Sequence, residues 1–115
     1  MPTIRHPLLV IILLVAGWTP MAASAISDAQ HDAINHLGGL NGVALHCKFY
    51  DETRRMKEAM VANVPKIRAL GALFEDTTNA GFMKALESNQ PCPSAAEFTQ
   101  QVSAGIERLR GSFAE

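Results

Sequence analysis

Two cysteines, one tyrosine and one tryptophan are few for a chain of 115 residues. With no third cysteine, only one intramolecular pairing is possible, Cys47 with Cys92. The same shortage excludes a C-x-x-C redox motif and an all-cysteine zinc cluster. No apolar run approaches the ~20 residues that a membrane helix needs. The longest, Leu8 to Trp18, has 11. The motifs G-x-S-x-G, H-E-x-x-H and H-x-E with C-x-x-C are all missing. The glycine-rich stretch Gly38-Gly39-Leu40-Asn41-Gly42 lacks the lysine and the preceding strand of a phosphate loop. No catalytic constellation is therefore legible, and the chain is not expected to be an enzyme or to carry a cofactor. Neither sign of charge prevails, with 10 Lys+Arg against 11 Asp+Glu. That balance gives no electrostatic case for nucleic acid or for an anionic membrane surface.

What is present begins with a leader. Arg5 supplies a positive n-region, Leu8–Trp18 a short apolar core, and Ala23 and Ala25 a small-residue cleavage site before Ile26. Residues 1–25 are expected to be a cleaved signal peptide and residues 26–115 one exported helical domain, periplasmic or secreted, with no stable membrane anchor once the leader is gone. Loss of Arg5 leaves nine basic residues against 11 acidic ones.

Helix signals fill the remainder, and an all-α bundle of three to four helices is expected. Ser27 and Gln30 fit a capping box ahead of Ala33, Ile34 and Leu37, and Gly38-Gly39 should end this first helix. A second is expected from Asn41 or Gly42 to about Asn63, on the stripe Leu45, Phe49, Thr53, Met56, Met60 and Val64. The pairs Asp51–Arg55 and Arg54–Glu58 lie one turn apart on its polar side. Pro65 suits the first position of a third helix, whose face is Ile67, Leu70 and Phe74. Asp76–Gly81 contains weak helix formers, and the expectation is an irregular but continuous helix. Ser94 and Glu97 fit a second capping box before Phe98, Val102, Ile106, Leu109 and Phe113.

Export favours oxidation of the two thiols. Pro91 and Pro93 hold Cys92 in an extended turn just before the last helix. A Cys47–Cys92 disulfide would tie that turn to the second helix and contribute up to ~4 kcal/mol by chain entropy.

His31, Asp32, His36 and His46 do not supply three converging ligands at any local spacing, so they read as ordinary polar residues and no metal site is expected. Met56, Met60 and Met83 read as core packing rather than copper ligands. The leading functional expectation is a non-enzymatic binding module whose partner is a protein or a small apolar ligand. Its candidate surfaces are Gly39 and Asn41 in the first glycine turn, Thr78 and Asn79 in the Thr77–Gly81 interruption, and the Arg54/Arg55 face. Size, helicity, export and one wide-spaced disulfide also look broadly like the small acid-stress chaperones of the enteric periplasm. That likeness is one of architecture, without a shared motif, and implies an acid-activated holdase as the alternative. A metal- or redox-linked exported protein is the third class.

Overall fold

A computed structural model describes residues 26–114. The expected leader, residues 1–25, lies outside the described residues. The described chain forms four helices: α1 (Asp28–Cys47), α2 (Tyr50–Asn63), α3 (Arg68–Glu87) and α4 (Ala95–Phe113). It is all-helical and closed by a Cys47–Cys92 disulfide, the expected fold class.

α1 starts at the expected capping box. Ser27 Oγ accepts from the Gln30 amide at 3.1 Å, and the Gln30 side chain accepts from the Ser27 amide at 2.8 Å. It does not stop at Gly38-Gly39. It runs on through Gly42 to Cys47, so the expected helix boundary is corrected. The reason is tertiary. A Cβ on Gly38 would lie 1.8 Å from Thr77 Oγ1, and one on Gly42 would lie 2.5 Å from the Thr78 carbonyl oxygen. These glycines let α3 approach the α1 backbone. Each costs about 1 kcal/mol of helix propensity relative to alanine, which the close packing offsets.

The expected second helix is likewise cut in two. The chain reverses at Lys48, which takes left-handed dihedrals (φ 62°, ψ 33°). The Phe49 amide donates to the Ala44 carbonyl at 2.8 Å and the Lys48 amide to the Leu45 carbonyl at 3.3 Å. Together these bonds form a Schellman motif. Phe49 still points inward, stacked on Phe98 with ring centroids 5.0 Å apart. The i+4 stripe therefore looked unbroken while the backbone turned. α3 ends in the same way at Asn89 (φ 47°), where the Gln90 amide reaches the Ala85 carbonyl at 3.0 Å.

Pro65 is not the first residue of α3. It sits in the link from Val64 to Ile67, and Ile67 is the N-cap, with extended dihedrals and no side-chain capping bond. α3 then continues through Asp76–Gly81 without a break, as expected. Thr77 and Thr78 turn their hydroxyls back onto the Leu73 and Phe74 carbonyls at 2.8–3.0 Å, so their polar atoms are satisfied within the helix. α4 is capped by Ser94 Oγ, which accepts from the Glu97 amide at 3.2 Å.

α1 is the central rod and touches the other three helices, α3 most extensively; α2 also packs on α4. Ile34, Leu37, Met56, Phe98, Val102 and Leu109 are fully buried where α1, α2 and α4 meet. α3 joins that core through Leu70 and Phe74.

Candidate functional site

The residues singled out from the sequence fall into two places, and the structure adds a third that shares Arg54 with the second. The first is the α1–α3 seam. Asn41 and Thr78 lie inside it, 1% and 4% exposed, and Asn41 Nδ2 donates to Thr78 Oγ1 at 3.2 Å. They are contacts between helices, so neither is displayed as expected. Gly39 is half-buried, and a Cβ on the facing Gly81 would lie 2.9 Å from its carbonyl oxygen. Asn79 alone of this group is exposed.

The second place is the polar side of α2. The ion pairs there are Asp51–Arg54 at 3.8 Å and Glu52–Arg55 at 2.6 Å, one residue out of the expected register. The shift has a cause. Glu52 and Arg55 reach across to α4, where Thr99 Oγ1 donates to Glu52 Oε1 and Arg55 Nη2 donates to Ser103 Oγ, both at 2.9 Å. Arg55 is thus a clamp between helices. Arg54 remains open to solvent.

The third place is one that the sequence reasoning missed. The outer face of α2 carries an open groove of about 520 Å³, whose described lining includes Tyr50, Thr53, Arg54, Lys57 and Val61. Tyr50 and Val61 are 59% and 68% exposed. Thr53 is buried at its floor, and its Oγ1 has no hydrogen-bond partner. A second hollow of about 350 Å³, whose described lining includes Met60, Val61, Val64, Pro65 and Ile67, shares Val61 and continues an apolar surface into the α2–α3 link. The signal was legible in part. Val61 lies off the Leu45–Val64 stripe, whereas Tyr50, expected with Val43 and Cys47 on a second buried side, is exposed because the chain turns at Lys48.

The disulfide corner is where the sequence put it, except that Cys47 ends α1 rather than lying within a longer helix. The two Cα atoms are 5.7 Å apart, and the bridge fixes the α3–α4 link to the end of α1. His46, in the last turn of α1, packs its ring edge-on to Phe82 with centroids 6.4 Å apart. Burial, and then the charge of Arg108, hold the His36 imidazole below its ordinary pKa.

Among the described residues, no helix is long and apolar enough to cross a membrane. Scanned against protein-family models, curated proteins and solved structures, the chain matches none.

Proposed function

We propose that this chain is an exported, non-enzymatic interaction module that docks a protein segment along α2. The observation that carries the reading is a pair of exposed apolar side chains, Tyr50 and Val61, at the two ends of the α2 groove, with the hollow of Met60, Pro65 and Ile67 beyond Val61, on a helix whose opposite face is used in the core. Small-ligand sites enclose most of their ligand, whereas this groove is shallow and its described lining lies wholly on one helix. That shape suits an extended partner surface better than a small apolar molecule. Arg54 and Lys57 lie between Tyr50 and Val61 on the same face, with Glu58 beside them, so a partner would meet apolar and charged side chains together. The hydrogen bonds of His31 and His46 go to Asn35 and to the Gln90 carbonyl, not to a hydroxyl that they could activate. The disulfide supports placing the protein in the periplasm or outside the cell.

The test is site-specific photo-cross-linking in cells that export the protein. A photoreactive residue at Tyr50 or Val61 should give one discrete adduct, lost when Arg54 and Lys57 are reversed to glutamate. The same residue at exposed Ala72 on α3 should give none. Adducts of equal yield at all three positions, or none at any, would overturn the reading.

A second reading, an acid-activated holdase, draws on His36. Its imidazole lies beside Gly105 and Arg108 of α4 with its pKa lowered, so protonation would work against the α1–α4 contact. Light scattering of an aggregating client at about pH 3 and about pH 7 tests it, since acid charging loosens such bundles. Absence of suppression in acid removes it.

A further inference from the structure

Among the described residues, three side chains with ligand-type atoms converge at the disulfide corner, away from the α2 groove. His46, Cys47 and Cys92 each bring one such atom, and the three lie within 4.8 Å of one another. The sulfurs are bonded to each other, and a disulfide sulfur is a poor metal donor, whereas a thiolate is a strong one. We propose that reduction of the Cys47–Cys92 bond creates a metal site of two thiolates and the His46 imidazole for a borderline-soft d¹⁰ cation of the zinc class. Disulfide and metal would be alternative staples joining the same two elements.

Three observations carry this. First, His46 is prepared as a ligand. Its Nε2 lies 3.3 Å from the Gln90 carbonyl oxygen, which can only accept. With Nε2 donating in that contact, Nδ1 is the nitrogen left to meet a cation. A backbone carbonyl bonded to the non-ligating nitrogen is the usual outer-shell support of a metal-bound histidine. Second, the sulfurs have little distance to travel. A tetrahedral zinc with Zn–S bonds near 2.3 Å holds two sulfurs about 3.8 Å apart. With the Cα atoms 5.7 Å apart, side-chain rotation can supply that opening. Pro91 and Pro93 fix their own φ angles, which narrows the conformations of the Cys92 backbone when the bond opens. Third, the bond is reachable. Cys92 is exposed, so an external thiolate can attack its sulfur.

The chemistry balances with a dithiol as reductant. It supplies two electrons and two protons and closes its own disulfide, leaving Cys47 and Cys92 as thiols. The cation then binds both sulfurs as thiolates and releases two protons to solvent. Three protein ligands leave a fourth position for water or an external ligand.

The full chain is titrated with Zn²⁺ against a chromophoric chelator, once oxidised and once reduced by a phosphine under anaerobic conditions. The reduced protein should take up one equivalent and the oxidised protein none. Co²⁺ in place of Zn²⁺ should give a thiolate-to-metal charge-transfer band. Cys92→Ser should abolish that band, and His46→Gln should weaken zinc binding about tenfold or more. Should the reduced protein lose helix, zinc must restore the circular-dichroism signal in the wild type and not in Cys92→Ser. No stoichiometric zinc in the reduced wild type, equal affinity in His46→Gln, or failure of zinc to restore a lost fold would each overturn the proposal.

Discussion

Lys48 holds a backbone conformation that glycine would hold at lower cost. Its left-handed dihedrals put Cβ against the following carbonyl, a penalty of roughly 1–2 kcal/mol for an L-residue. Glycine at this position of a Schellman motif removes that penalty and adds back part of it as chain entropy. Lys48→Gly should therefore stabilise the protein by about 0.5–1 kcal/mol, seen as a rise in the urea midpoint at unchanged slope. The glycines of α1 separate by their neighbours in the same way. Gly39 has nothing within 4 Å of an added Cβ, so Gly39→Ala should gain about 0.5–1 kcal/mol of helix propensity. A Cβ added at Gly42 would meet the α3 backbone at 2.5 Å, so Gly42→Ala must push the two helices apart, at a cost of about 1–3 kcal/mol. Chemical denaturation of the two variants side by side checks the opposite signs. In the sequence both read as part of one glycine-rich turn between two helices, Gly39 at its stop and Gly42 at the next start, because only the position of α3 distinguishes their roles.

At the scale of helices, the α1–α4 contact carries a titrating group. His36 stands beside Gly105, where an added Cβ would lie 3.5 Å from His36 Cδ2, and it is held below its ordinary pKa of 6.5. A depressed pKa means that the unfolded chain takes up the proton first. The full contribution is present above 6.5 and is lost as the pH falls through the lowered folded value. The urea midpoint should drop over that interval in the wild type, and His36→Gln should flatten this part of the curve while leaving the neutral plateau in place. A wild-type profile indistinguishable from that of the variant would refute the assignment. Elements were unevenly legible. The caps at Ser27 and Ser94 and the stripe of α4 were readable because they depend on local chain chemistry. The reversal at Lys48 was not, because lysine carries no left-handed preference and Phe49 stays on the apolar stripe across the turn. The Glu52–Arg55 clamp was missed for a related reason: spacing along α2 cannot say that Thr99 and Ser103 face it from α4.

For the whole molecule, the disulfide closes a loop that contains all of α2 and α3. α3 meets the rest chiefly through α1, so the bridge also limits how far the α3–α4 link can move from the end of α1. Replacing both cysteines by serine should cost about 2–4 kcal/mol, which lowers Tm by roughly 10–25 °C for a domain of this size. Thermal unfolding monitored by circular dichroism measures it, and a shift of only a few degrees would mean that helix packing alone holds the corner.

The sequence by itself determined the helical class, both capped helix starts, the core stripe of α4 and the cysteine pairing. The first three follow from interactions within a few residues, and the last from there being two cysteines and no others. Only the tertiary structure decided that the α1 glycines are a packing seam, that the chain turns at Lys48, and that α2 leaves Tyr50 and Val61 uncovered. Each of those depends on which backbone or side chain arrives from a distant part of the chain, and hydrophobic period and turn propensity hold no record of that.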